Sequence, residues 1–197
     1  MRIITGTLKG RRLEALPGDR VRPTSDKVKE AIFSMVEGYY QNGVAVDLFC
    51  GTGNLGLEAL SRGAERVYFA DRAKESLDLT RRNIEHCGVK EQCVCLQGEW
   101  QRTLARIPRG VDLFLLDPPY KAGILEDCIR EIDAKELLTE DGLVVAEHGA
   151  DVKLPESIGG LEAVKTRTYG KIAVTIYARA EEQDGAAEAD GGENETE

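Results

Sequence analysis

The chain has 197 residues, 42% of them hydrophobic, enough for a sizeable core within a single domain. No run approaches the roughly 20 apolar residues that span a membrane, and Met1-Arg2-Ile3-Ile4-Thr5-Gly6 lacks the apolar stretch of a signal peptide. The formal charge of −9 is uneven: Glu181–Glu197 holds eight acids and no bases, leaving −1 for residues 1–180, while residues 1–30 carry eight bases against four acids.

Residues 1–15 alternate loosely, with Gly6 and Gly10 as turn candidates, and suggest a short hairpin or extended arm. This basic arm, about residues 1–25, is a modest signal for a polyanionic partner. Pro17-Gly18-Asp19 and Arg22-Pro23-Thr24-Ser25 read as loop, and Thr24, Ser25 or Asp26 is placed to cap a helix. Val28, Ala31, Ile32, Met35 and Val36 then fall on one helical face, and Asn42-Gly43 ends that unit. A regular alternation follows. Strands are expected at Val44–Phe49, Arg66–Ala70, Cys93–Leu96, Val111–Leu116 and Leu143–Glu147. Helices are expected at about Asn54–Arg62, Ala73–Cys87, Trp100–Ile107 and Ile124–Leu138, with Gly63 and Gly88 as stops. Ala163–Tyr169 and Ile172–Tyr177 flank Gly170-Lys171 as a hairpin. The expected fold is α/β: a mostly parallel, Rossmann-like sheet with helices on both faces and a C-terminal antiparallel hairpin at one edge. One domain would cover residues 1–180. The acidic tail, residues 181–197, cannot bury enough apolar surface to order itself and is expected to be disordered.

Five cysteines without a CxxC pair fit reduced thiols in a cytoplasmic protein. His86 and His148 are too few and too far apart to suggest a metal site. The chemistry lies instead at strand ends. Asp47-Leu48-Phe49-Cys50-Gly51-Thr52-Gly53-Asn54-Leu55-Gly56 closes the first parallel strand. Gly51 and Gly53 permit tight turns and close approach of a ligand, and Gly56 lets the helix pack on the strand. Asp71 closes the second strand 20 residues after Gly51, the spacing of an acid that accepts hydrogen bonds from ribose hydroxyls. A dinucleotide would place its pyrophosphate here, but Asp47 adds negative charge to that position. A carboxylate suits the cationic amino group and sulfonium of S-adenosylmethionine better. Glu99 and Trp100, after the third strand, are candidates for the adenine amine and the adenine face.

The fourth strand ends in Asp117-Pro118-Pro119-Tyr120. Two prolines remove backbone donors and fix φ, so the turn is rigid. A planar exocyclic amine is a poor nucleophile because its lone pair is delocalised. Hydrogen bonds from its N–H groups to the Asp117 carboxylate and the Pro118 carbonyl would orient it and stabilise developing positive charge. Tyr120 would stack on the ring and Pro119 would line the pocket. Methyl transfer would then be an in-line displacement helped mainly by proximity, with no metal, and a base inside a stem would have to be flipped out.

With these motifs in place, the chain resembles class I amino-methyltransferases. Arg22-Pro23-Thr24-Ser25-Asp26-Lys27-Val28-Lys29-Glu30-Ala31-Ile32-Phe33, Asp47–Gly53, Asp117–Tyr120 and Tyr169-Gly170-Lys171 together resemble the bacterial family that methylates guanine N2 in 16S rRNA at nucleotide 966. The resemblance covers about residues 1–178. It implies S-adenosylmethionine as donor and a partly assembled small ribosomal subunit as substrate, bound by a cytoplasmic enzyme expected to be monomeric. Carried over, Asp47, Gly51 and Gly53 would line the donor, Asp71 the ribose and Glu99 the adenine, and Asp117 and Tyr120 would hold the guanine; on the residues' own reading Trp100 and Asp117 also face the donor and Pro118 the amine. Arg22 and Thr24 would guide RNA or close over the site, unless they serve only as a helix-capping loop. Asp71 stands where Glu is common and Glu99 where Asp is common, which preserves charge and changes reach. The residues themselves specify an amine. A DNA adenine or cytosine, a protein glutamine, or a non-catalytic RNA-binding assembly role stays open beside the guanine reading.

Overall fold

A computed structural model of the protein describes residues 1–15, 25–119 and 123–180. Arg22, Thr24, Tyr120 and the acidic tail lie outside the described residues. The apolar runs pair as the parallel centre of one sheet: β1 (Val44–Asp47), β2 (Arg66–Asp71), β3 (Cys93–Gln97), β4 (Val111–Leu116) and β5 (Leu138–Gly149). β6 (Ser157–Ile158), β7 (Leu161–Tyr169) and β8 (Ile172–Arg179) extend it antiparallel, giving the order β3-β2-β1-β4-β5-β8-β7-β6. The expected terminal hairpin is β7–β8, and it sits toward one edge as expected.

Both faces of the parallel strands are covered, which is why their sequences are continuously apolar rather than alternating. Ala45, Leu113, Leu115 and Val145 point to one side, under α1 (Asp26–Met35), α2 (Asn54–Ser61) and α3 (Lys74–Cys87). Val46, Phe114, Leu116 and Val144 point to the other, under α4 (Trp100–Leu104) and α5 (Leu125–Ala134). α5 buries Leu125, Cys128, Ile129 and Ile132, a single helical stripe.

Several boundaries differ from the sequence reading. β1 stops at Asp47, because the chain turns through Leu48–Gly53. α5 stops at Ala134, Glu136 takes φ 51, and Leu138 joins the next strand. β5 is long because Leu138 pairs with Val111 and, after a register shift, Leu143 pairs with Leu113. The polar Thr139-Glu140-Asp141 interruption hides this continuity. A 3-10 turn at Lys90–Gln92 and the short β6 have no strong local signal.

α1 begins as expected, with the Ser25 hydroxyl accepting the Val28 N–H at 3.3 Å. Its buried face is rotated from the expected one. Lys29 and Phe33 are buried, whereas Ala31 and Met35 are only half-buried. Lys29, one of the eight bases counted in residues 1–30, is 0% exposed. Its ammonium donates to the Arg2 carbonyl (2.7 Å) and Asn54 Oδ1 (2.8 Å) and pairs with Glu58 at 3.0 Å. Glu58 also accepts the Ile4 and Thr5 N–H groups at 2.8 and 3.0 Å and pairs with Arg62 at 2.8 Å. Burial alone would raise the Glu58 carboxyl, but the Ile4 N–H and these cations outweigh it and hold it below the usual range. Residues 1–13 form a small hairpin, bridged Arg2 to Arg12, and Glu58 locks it onto α2. One of the eight basic charges of residues 1–30 is therefore spent inside the protein.

Candidate active site

Parallel strands all deliver their C-terminal ends to one edge, and connections leave β1 and β4 in opposite directions. The β1–β4 junction is thus the switch point where open α/β sheets leave a crevice. The glycine loop and the Asp117 turn meet there. Asp47 pairs with Leu115 and the Leu48 N–H donates to the Leu115 carbonyl at 3.1 Å, so Asp117 follows two residues past that register. β2 and β3 bring Asp71 and the Gly98-Glu99-Trp100 corner to the same edge, on the other side of β1.

The loop is held from beneath and behind. Asp47 is 1% exposed, and its Oδ2 accepts the Gly56 N–H at 2.9 Å. Burial pushes its carboxyl up to about 7, opposed by that N–H and reinforced by the charge of Asp71. In this geometry Asp47 braces the loop. Asp71 Oδ2 accepts the Gly51 N–H at 3.0 Å and its Oδ1 accepts the Ala73 N–H at 2.8 Å, which fixes the half-buried carboxylate at the end of β2. Two α3 side chains grip loop carbonyls: Thr80 donates to Gly51 at 3.0 Å and Asn83 to Thr52 at 2.9 Å. Asn83 also accepts the Glu14 N–H at 2.8 Å, tying the N-terminal hairpin to the loop.

Gly51 and Gly53 take left-handed φ of 53° and 78°. A Cβ on Gly51 would meet no atom within 4 Å, so the space above it is an open cradle that a side chain would begin to fill. A Cβ on Gly56 would overlap the Phe69 ring, confirming its helix–strand packing role. Glu99 is exposed at the N-cap of α4 and its carboxylate makes no cap bond. Trp100 opens α4, half-buried against the α4/α5 core. Asp117 is half-buried, Pro118 buried and Pro119 exposed; Tyr120, Arg22 and Thr24 fall outside the described residues.

The described parts of the expected site therefore converge on one edge. Sequence reasoning missed Thr80, Asn83, Lys29, Asn54 and Glu58. A polar Asn at a core-facing position of α3 is the signal that would have pointed to Asn83. Lys29 and Glu58 carry no such signal, since charged residues on helices are usually solvated. Among the described residues no cluster has the makings of a metal site, and no helix is long and apolar enough to cross a membrane.

Comparison with known proteins fits this geometry. YlbH of Bacillus subtilis, provisionally named an rRNA methyltransferase, is 41% identical over 182 residues, covering 91% of this chain and 99% of that one. Ribosomal RNA small subunit methyltransferase D of Escherichia coli is 27% identical over 190 residues, covering 96% and 94%. The solved structure of Escherichia coli YhhF, provisionally named a methyltransferase, superposes with a TM-score of 0.81 at 26% identity, covering 91% and 97%. That of Haemophilus influenzae HI0767, provisionally named a methylase, gives 0.76 at 28%, covering 91% and 98%. The architecture is the class I methyltransferase fold, which implies a methyl donor of the S-adenosylmethionine type. With the family model described as "Conserved hypothetical protein 95" matching residues 1–178, the chain belongs to that family.

Proposed function

We propose that this protein transfers a methyl group from S-adenosylmethionine to the exocyclic N2 amine of a guanine in 16S rRNA, at nucleotide 966 by family resemblance. The substrate is a partly assembled small ribosomal subunit, met in the cytoplasm by a monomeric enzyme whose catalytic domain is residues 1–180. The observation that carries this reading is the Asp117-Pro118-Pro119 turn lying directly across the switch point from the glycine loop. The relatives named for small-subunit rRNA methylation support RNA as the acceptor.

Bound donor supplies an electrophilic methyl on its sulfonium. The chain's residues do the rest. Gly51 and Gly53 admit the donor close to the backbone. Asp71 takes the ribose hydroxyls, and Glu99 and Trp100 take the adenine amine and ring. Asp47 sets the loop from below. Asp117 and the Pro118 carbonyl accept from the two N–H groups of the guanine amine, holding its lone pair toward the methyl, and Tyr120 stacks on the base. Developing positive charge on the amine is stabilised by the Asp117 carboxylate; the new N–C bond would form as the methyl–sulfur bond breaks, the neutral thioether S-adenosylhomocysteine would leave, and the surplus N2 proton would pass by way of Asp117 to solvent. Arg22 and Thr24 contact RNA.

Nucleoside mass spectrometry of small-subunit rRNA from cells with and without the protein tests this reading. Loss of one N2-methylguanosine, restored by the wild-type gene but not by Asp117→Ala, is expected. Unchanged rRNA would refute it. Restoration by Asp117→Ala would point to a non-catalytic assembly role.

A further inference from the structure

Burying a charge is costly unless it is paired, so each buried acid calls for an explanation. Among the described residues three acids are buried: Asp47, Glu58 and Glu147. Asp47 braces the glycine loop and Glu58 locks the N-terminal hairpin. Glu147 is 2% exposed and follows the apolar run Leu143-Val144-Val145-Ala146 of β5.

Its position follows from the register. Ala146 pairs with Leu116 of β4, so the next residues, Glu147 and Asp117, reach the crevice edge side by side, one strand spacing of about 4.8 Å apart. Its face follows from its partner. Glu147 pairs with Val174, which belongs to the core under α1, α2 and α3. The next residue, His148, and its partner Ala173 line a groove on the opposite face. Leu115 belongs to the α1–α3 core, so alternation along β4 sends Asp117 to the same side as Glu147. Two carboxylates thus stand at neighbouring positions, on one face, at the candidate amine pocket. Glu147 has an interaction of its own within the protein, and an ionised carboxylate, with about four lone-pair sites, can take a further donor.

Such a pair suits a base edge that only donates. Guanine presents N1–H beside its N2 amine, two adjacent donors. Adenine and cytosine present their amine beside a ring nitrogen whose lone pair would face a carboxylate. A flipped base is read through this Watson–Crick edge. We infer that Glu147 selects guanine by accepting its N1–H while Asp117 accepts from the N2 amine; the inference rests on the methyl-transfer reading above.

2-Aminopurine tests it, because this base keeps the N2 amine and has a bare ring nitrogen in place of N1–H. Small subunits reconstituted from ligated 16S rRNA carry guanine or 2-aminopurine at the target, and tritium transfer gives kcat/KM for each. The wild-type protein should favour guanine by about a hundredfold, the worth of a hydrogen bond to a charged group that is otherwise left facing a lone pair. Glu147→Gln keeps the side chain's shape; its carbonyl still accepts N1–H, and its amide can donate to the bare nitrogen. It should lower kcat/KM for guanine, raise it for 2-aminopurine and shrink the preference at least about tenfold, with KM for S-adenosylmethionine and Tm unchanged. Comparing preferences between the two proteins cancels any difference in the amines' own reactivity. A Glu147→Gln protein that loses activity on both bases together, with the preference intact, overturns the inference and leaves Glu147 a structural role. So does a wild-type protein that shows no preference, a comparison that needs no variant and holds even where Glu147→Gln is unstable. No label on guanine subunits with the wild-type protein refutes the methyl-transfer reading; label there with either of those preference results refutes this inference alone.

Discussion

Asp47→Asn should stabilise the protein at alkaline pH. The Asp47 carboxyl is pushed by burial from an ordinary 3.8 to about 7. The unfolded chain ionises it from 3.8 upward, whereas the folded chain holds the proton to about 7. Its contribution is thus fully present below the unfolded value and is lost as pH rises through the folded one. At about 1.36 kcal/mol per unit, the deficit is about 1.7 kcal/mol at pH 5 and about 4 kcal/mol at pH 8. Asparagine mimics the protonated acid: its carbonyl still accepts the Gly56 N–H, and it never ionises. Its extra amide protons, if unpaired, cost about 1–3 kcal/mol at every pH. The gap between variant and wild type should therefore widen by about 2.5 kcal/mol between pH 5 and pH 8, whatever the offset. Urea denaturation across that range measures it. Parallel stability curves would refute the argument that Asp47 is a buried, reluctantly charged brace.

Gly51→Ala places a methyl in the open cradle at φ 53°. It should cost about 1–2 kcal/mol of stability and at least about tenfold in donor affinity, the latter from about 1.4 kcal/mol of lost contact, both checked by calorimetry. Gly56→Ala drives a methyl into the Phe69 ring and should cost about 1–3 kcal/mol in chemical denaturation. Glu58→Gln leaves Lys29 buried without its carboxylate and should cost about 3–5 kcal/mol. Hydrogen exchange should then show Ile4 and Thr5 losing protection first, and adding Lys29→Met should recover part of the loss.

The parallel centre was legible because each buried strand is a short apolar run closed by a distinctive corner, and β4 matches its expected bounds, Val111–Leu116. Gly51 and Asp71 were legible as a pair because the strand–loop–helix–strand unit fixes their spacing; the Gly51 N–H to Asp71 bond at 3.0 Å is that spacing realised. Ends were harder to read. Leu138 belongs to β5 through pairing with Val111, a contact that helical periodicity in α5 cannot reveal.

The sequence by itself determined which strand ends carry chemistry, since glycines, prolines and acids at strand ends act through local backbone geometry. Only the tertiary structure decided what holds those ends in place. Lys29, Glu58 and Thr80 look like ordinary helix-surface residues until the chain folds. Their worth lies in partners brought together from distant segments, and burial makes those pairings obligatory, because an unpaired charge or amide there would be too costly to keep.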